Sequence, residues 1–176
     1  MKKRSAVEVL SHSVARERRA PTDAMPSRRS TKKVWRGVHV GGYNLLLDPT
    51  IQGEIQESLH IQPIPRSREF CQGLVNLRGN LVAIYDLWQY LGEDSAPQRW
   101  YLVLHNEPAW VGFAMNVLPD QLSLGEEDRL AQLPPLPDGL DPYVRSGYRL
   151  NNQLWLELDF NQLFEQLANE AIVNAA

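Results

Sequence analysis

The chain has few residues arranged for catalysis or for binding a metal ion. Its four histidines are far apart and lack the short spacing of metal-ligand pairs: His12, His39, His60 and His105. None of the motifs GxSxG, HExxH, GxxxxGK[ST] or GxGxxG occurs, so no nucleophile elbow, zinc helix or phosphate-binding loop is present. We therefore predict that the protein is not an enzyme and that it has no catalytic residue, no metal site and no cofactor.

The single cysteine, Cys71, excludes an intramolecular disulfide and favours a reducing, cytoplasmic setting. It follows Phe70, and a free cysteine in an apolar segment is more often a small buried hydrophobic side chain than a nucleophile. A cysteine hydrolase stays an alternative, because a Cys–His dyad can be built from residues distant in sequence. The acidic run Glu126-Glu127-Asp128 is interpreted as a solvated loop, since it lacks the alternating oxygen ligands and the glycine of a calcium loop.

The charge distribution divides the chain near residue 33. Residues 1–34 hold ten Lys and Arg against three Asp and Glu, whereas residues 35–176 hold eight against eighteen. We predict that residues 1–33 form a basic, disordered tail, because they have too few large apolar residues to offset the entropy of ordering. Residues 34–176 are predicted to form the folded domain.

The basic tail leaves two alternatives open. It could be the electrostatic arm of a small-barrel nucleic-acid-binding protein, although the folded part carries a balance of −10, which opposes a phosphate backbone. It could also attach to an anionic membrane, but a solvated linker is preferred because the tail lacks a strong amphipathic face. No apolar run of about 18 residues and no secretory signal pattern occurs, so we expect no membrane insertion.

Short β-branched and aromatic runs, separated by Gly, Pro, Asn and Asp, predict a mainly β domain. Nine strands are predicted: Val34–Val40, Tyr43–Leu47, Ile51–Ile55, Gly73–Leu77, Asn80–Tyr85, Arg99–His105, Ala109–Leu118, Tyr143–Leu150 and Leu154–Leu158. Many short antiparallel strands with little helix are typical of small barrels. Gly53 lies within a strand and suggests a β-bulge.

Two helices and one long loop complete the expected architecture. Asp86 is predicted to cap a helix over Leu87–Leu91 that ends at Gly92, and Asp159 to cap a helix over Phe160–Ile172. Residues 119–142 contain five prolines and a cluster of acids, and are predicted to form a long ordered loop.

The segment from Gln72 to Leu87 predicts a hairpin that turns at Arg78-Gly79. Its second strand leads into the helix capped by Asp86. An arginine at such a turn is suited to bidentate pairing and to anchoring an interface. Physical reasoning alone leaves open whether Arg78 is an interface anchor or an ordinary exposed turn residue.

This segment resembles the signature of the CheW family, in which a Gly-hydrophobic-hydrophobic-Asn-Leu-Arg-Gly turn precedes an apolar strand ending in Asp-Leu. The match runs from Gly73 to Leu87. Four further segments resemble elements of the family: Gly41-Gly42-Tyr43, Glu54-Ile55, Ile61-Gln62-Pro63-Ile64-Pro65 and Leu102–Leu118. The resemblance covers about residues 35–168.

The resemblance implies two small SH3-like five-stranded barrels that share a hydrophobic core, with a C-terminal helix. It implies an adaptor that couples a methyl-accepting chemoreceptor to a CheA-type histidine kinase, located in the cytoplasm at polar receptor arrays. It also implies that the docking surface contains Arg78, Glu54, Gly73, Asn76 and Gly79. Arg78 and Glu54 are expected to face the receptor and to form an ion pair.

Some features resemble the CheW homologues of type IV pilus systems, the PilI-like group, more than the flagellar ones. They are Trp35-x-Gly37, Gly41-Gly42 and Leu133-Pro134-Pro135-Leu136 followed by Pro142-Tyr143-Val144. The implied output is twitching motility. Gln52 departs from the family pattern, which has Val two residues before the glutamate.

Overall fold

The structure, a computed structural model, describes residues 31–94, 97–98, 100–105 and 109–172. The predicted disorder of the basic tail concerns residues that lie almost wholly outside this part of the chain. The first strand begins at Lys33, one residue before the predicted start of the folded domain at residue 34. Lys33 contacts the domain, because its ammonium lies 2.9 Å from Asp48 and 3.9 Å from the centre of the Trp35 ring.

Ten strands form two five-stranded sheets. The strands of sheet A are β1 (Lys33–Val40), β2 (Tyr43–Leu47), β8 (Asp120–Leu124), β9 (Val144–Leu150) and β10 (Gln153–Leu158). Their order in the sheet is β8-β1-β2-β10-β9. The strands of sheet B are β3 (Gly53–Gln56), β4 (Cys71–Leu77), β5 (Asn80–Tyr85), β6 (Trp100–Leu104) and β7 (Val111–Met115). Their order in the sheet is β3-β6-β7-β5-β4.

Two α-helices follow strands and begin at capping aspartates. Asp86 accepts hydrogen bonds from the backbone N–H groups of Trp88 and Gln89, and α1 spans Leu87–Tyr90. Gly92 follows it with a φ of 74°, the left-handed conformation expected there. Asp159 accepts from the Gln162 N–H, and α2 spans Phe160–Glu170. Both predicted helices are confirmed, with ends one or two residues earlier than expected. No helix in the described ranges is long and apolar enough to cross a membrane.

One hydrophobic core joins the two sheets and α2. Sheet A contributes Val38, Leu45 and Leu156 to this core, and sheet B contributes Leu102, Leu104 and Phe113. From α2, Phe160, Leu163, Phe164 and Leu167 complete it. Alternation along β10 places Leu156 and Leu158 in this core and Trp155 in a second cluster on the other face of sheet A. The predicted architecture of two barrels around a shared core is confirmed.

Three details differ from the prediction. The segment 119–142 was expected to be a loop, but it contains β8, whose residues pair with β1. The strands are not all antiparallel: β10 pairs with β2 in parallel, and β5 pairs with β7 in parallel. Gly53 shows no bulge: it pairs in register with Leu104, and a Cβ there would lie 2.7 Å from the Val103 carbonyl oxygen. Close backbone approach therefore explains that glycine.

Candidate docking site

The β4–β5 hairpin presents Arg78 at an exposed two-residue turn. Arg78 has a φ of 51° and Gly79 a φ of 88°, as in type I′ turns, which favour Asn or Gly at the first position. The Gly79 N–H donates a hydrogen bond of 2.9 Å to the side-chain oxygen of Asn76, which fixes the turn. Arginine is a strained choice for a left-handed position, and such strain is often found at functional sites.

Glu54 on β3 forms an ion pair with Arg78. The Glu54 Oε2 and Arg78 Nη1 atoms lie 2.7 Å apart, and the side chains are 19% and 65% exposed respectively. Since β3 and β4 are the two outer strands of sheet B, the contact joins opposite edges of that sheet. The sheet is therefore curled enough to bring its edges together, as in a small barrel.

His105 lies near the other carboxylate oxygen of Glu54. The Oε1 atom of Glu54 is 3.9 Å from the Nε2 atom of His105. The His105 ring stacks on Trp110, with the ring centres 3.9 Å apart. Both Oε1 and Nε2 are buried, and neither has a hydrogen-bond partner within the described part of the chain. No local sequence pattern connects His105 with Glu54, because they meet only through the pairing of β3 with β6.

Gly73 shapes the base of the same hairpin. The register of β4 against β5 shifts between Cys71 and Gly73, which marks a β-bulge. Gly73 has a φ of 138°, and a Cβ there would collide with the carbonyl oxygen of Gln62. Of the five predicted site residues, Arg78 and Glu54 meet directly. Asn76, Gly73 and Gly79 hold the backbone that carries Arg78.

A cleft between the two sheets, which we name the seam cleft, was not predicted. Its volume is about 380 Å³, and it is lined by Val34, Trp35, Arg36, Pro49, Ile55, Pro119, Asp120 and Gln121. Val34 and Ile55 in this lining are more than 40% exposed, and so are Val117 and Leu118, just before Pro119 in the chain. Exposed apolar side chains around a cleft are typical of a surface that binds another protein.

Among the described residues, those considered for catalysis or metal binding are not assembled into a site, and His12 lies outside the described ranges. Cys71 is buried, and this burial raises the pKa of its thiol. His60 is exposed on a separate loop, and Glu126 to Asp128 form a short 3₁₀ turn. Over the described ranges, no three His, Cys, Asp or Glu side chains are placed to hold a metal ion.

The fold, the Arg78–Glu54 pair and the seam cleft together are typical of a protein-binding module. The two barrels present an exposed arginine, its partly buried carboxylate partner and a nearby apolar cleft, which suits non-covalent recognition of another protein. The CheW-like domain family matches residues 51–168 of the chain. The chain therefore belongs to the CheW-like domain family, a family of signalling scaffolds.

Comparison with individual proteins agrees with this assignment. The chain is 27% identical over 140 residues to the protein PilI of Pseudomonas aeruginosa, a match that covers 75% of this chain and 76% of PilI. It is 25% identical over 113 residues to the chemotaxis protein CheW of Thermotoga maritima, covering 63% of this chain and 74% of that protein. The crystal structure of the scaffolding protein TtCheW from Thermoanaerobacter tengcongensis has the same fold. That match has a TM-score of 0.65 at 17% identity and covers 81% of this chain and 99% of the other.

Proposed function

We propose that this protein is a non-enzymatic adaptor that couples a chemoreceptor to a CheA-type histidine kinase in the cytoplasm, at receptor arrays. The proposed output is twitching motility driven by type IV pili. Membership of the CheW-like family supports the adaptor role, and the similarity to PilI supports the pilus output.

The observation that carries the proposal is the ion pair between Arg78 and Glu54. A guanidinium that is 65% exposed would normally sample many rotamers, but a carboxylate 2.7 Å away restricts it. An exposed ion pair adds only about 0–1 kcal/mol to the stability of a fold. Its larger effect here is to order a side chain in advance of binding, which lowers the entropic penalty of forming an interface.

The remaining predicted site residues are proposed to act through the shape of the hairpin. Asn76 and Gly79 fix the turn, and Gly73 allows β4 to approach Gln62. Arg78 and Glu54 are proposed to face the receptor. Contacts with the kinase are proposed to use other surfaces of the domain, so that both partners bind at once.

Reconstitution from purified components tests the coupling. The full chain is mixed with the cytoplasmic fragment of a chemoreceptor and a CheA-type kinase from the same organism, and autophosphorylation of the kinase is measured. We expect the receptor fragment to change kinase activity only when the chain is present. Equal receptor control of the kinase without the chain would contradict the proposal.

A cellular assay tests the output. Deletion of the gene is expected to abolish surface twitching while leaving swimming unchanged, and the intact gene is expected to restore twitching. Loss of swimming with normal twitching would reject the pilus assignment while leaving the adaptor role in place.

A further inference from the structure

The seam cleft contains an arginine without a counter-ion in the described part of the chain. Arg36 lies on β1 between Val34 and Val38 on the same face of the strand. Its Nη1 atom is shielded from solvent and has no hydrogen-bond partner among the described residues. Asp120 lines the same cleft, but its carboxylate is bound by His39, whose Nε2 atom lies 2.9 Å away. The guanidinium therefore loses hydration without an internal hydrogen bond to replace it.

The chain enters the folded domain beside this cleft. The Lys32 ammonium lies 3.5 Å from the Glu127 carboxylate, and the Lys33 ammonium lies 2.9 Å from Asp48. These two contacts hold the start of β1, and Val34, the next residue, lines the cleft. The residues that precede β1 in the sequence are therefore tethered at the rim of the cleft.

The basic tail contains one acidic residue within an apolar run. This run, which we name the N-terminal apolar run, is Ala6-Val7-Glu8-Val9-Leu10. The other two acids before residue 31 are Glu17, which lies between two arginines, and Asp23, which lies outside any apolar run. Glu8 is therefore the tail acid whose neighbours match a cleft that has apolar walls and one cation without a counter-ion.

The tether makes a weak contact sufficient. Leu10 and Thr31 are 31 − 10 = 21 positions apart, and a flexible linker of that length spans about 25 Å on average. A linker of this kind gives its ends an effective concentration in the mM range. A segment that binds with a Kd of about 1 mM would then occupy the cleft for about half of the time or more.

We propose that the N-terminal apolar run of this chain folds back into the seam cleft as an autoinhibitory segment, with Glu8 as the counter-ion of Arg36. Val34, Ile55 and Pro119 provide apolar contacts around the charge. Ile55 directly follows Glu54 on β3, so the bound run covers one side of the proposed docking surface and limits access to it. The contact needs no receptor, and only its inhibitory effect rests on the proposed function.

Paramagnetic relaxation in the full chain tests the contact. A nitroxide label is attached at Ser5→Cys, next to the run. Cys71 is only 6% exposed, so labelling is confined to the new cysteine. We expect the label to broaden the backbone amide signals of Ile55 and Gln121, which line the cleft on two different strands.

Charge changes test the ion pair. Glu8→Lys should abolish the broadening, whereas Glu17→Lys makes the same change of charge in the same tail and should leave the broadening intact. Arg36→Glu should also abolish it, and the combination of Arg36→Glu with Glu8→Lys should restore it. Glu8 precedes the folded domain, so Glu8→Lys keeps the test decisive if Arg36→Glu does not fold. Equal broadening in the wild type and in Glu8→Lys would overturn the inference.

Mixing two forms of the chain shows whether the contact is made within one molecule. A nitroxide-labelled chain is mixed with an unlabelled chain that carries the isotope for detection. We expect no broadening in the unlabelled chain. Broadening that occurs only between chains would show that the occupant is the tail of a second copy, and it would overturn the autoinhibitory contact.

Titration with the receptor's cytoplasmic fragment tests the inhibitory effect. A run that is bound for half to four-fifths of the time should weaken receptor affinity about two- to fivefold. Glu8→Lys should therefore bind the fragment about two- to fivefold more tightly than the wild type, and Glu17→Lys should not. Equal affinity of these two variants, with the broadening lost in Glu8→Lys, would overturn the inhibitory role. If no variant binds the fragment, the proposed function fails and the inhibitory role with it, whereas the broadening still establishes the contact.

Discussion

Glu54 and Arg78 form an ion pair of 2.7 Å across the two edges of one curled sheet. The arginine is the exposed member, and it occupies a backbone conformation that glycine or asparagine would adopt with less strain. Stability alone gives no reason to place arginine there. We therefore propose that the pair serves recognition of a partner rather than folding.

Replacing Arg78 by Gly should separate stability from docking. At a φ of 51°, Gly relieves strain of about 1 kcal/mol, which offsets the loss of the partly exposed ion pair. We expect the melting temperature to stay the same or rise slightly, and receptor affinity to fall by about 2 kcal/mol, as for an interface anchor. Thermal unfolding and binding titrations measure the two effects.

Arg78→Lys provides the matched control, because it keeps the charge but not the planar guanidinium. It should bind with intermediate affinity. Receptor affinity of Arg78→Gly equal to that of the wild type would show that Arg78 is an ordinary turn residue.

Local sequence signals were sufficient for most of the secondary structure. Asp86 and Asp159 predict the starts of two helices, because a capping side chain binds backbone N–H groups within three residues of itself. The turn at Arg78-Gly79 could likewise be predicted from adjacent residues. Each of the nine predicted strands overlaps an observed strand, because alternation and turn residues are also short-range signals.

The features that the sequence did not predict depend on contacts between distant segments. Strand β8 lies among prolines and acids, and it becomes a strand only because the edge of β1 is available to pair with it. The seam cleft is lined by residues of both β8 and β3, so a loop prediction over residues 119–142 gives no indication of it. The pairing of Glu54 with Arg78 was expected only from the family resemblance.

A double-mutant cycle on Glu54 and Arg78 should show that they act as a unit. We expect Glu54→Gln to weaken receptor binding because it releases Arg78 from one rotamer. The double variant with Arg78→Ala should then lose less binding free energy than the two single variants combined. Titration of the four proteins with the receptor fragment gives the coupling energy.

Additive losses would contradict the preorganisation argument, because they would mean that the two residues contact the partner separately. His105→Gln is a useful third variant in this experiment. His105 lies 3.9 Å from the Glu54 oxygen that Arg78 does not contact, so its replacement should change affinity less than either member of the pair.

Two glycines of the hairpin should tolerate alanine very differently. Gly73→Ala places a methyl group against the Gln62 carbonyl at a φ of 138°, and we expect a loss of about 3 kcal/mol or more in the free energy of unfolding. Gly79→Ala meets no atom within 4 Å at a φ of 88°, so only backbone strain of about 1 kcal/mol is expected. Urea unfolding measures both. Equal losses would show that the contact with Gln62 does not constrain β4.

The acid stability of the domain should depend on Asp48. Burial raises the pKa of this carboxyl, but hydrogen bonds from the Thr50 side chain and backbone and the nearby Lys33 ammonium outweigh burial and lower the pKa from 3.8 to about 2. A carboxyl with a depressed pKa in the folded state stabilises the fold above its unfolded pKa, and this contribution is lost as pH falls through the folded pKa. The wild type should therefore exceed Asp48→Asn in unfolding free energy at pH 6, and the difference should disappear between about pH 4 and pH 2.

Urea unfolding at each pH gives the difference, and Asp138→Asn, at an exposed aspartate, is the control. A difference that stays constant down to pH 2 would mean that Asp48 acts through the geometry of its hydrogen bonds with Thr50 and not through its charge.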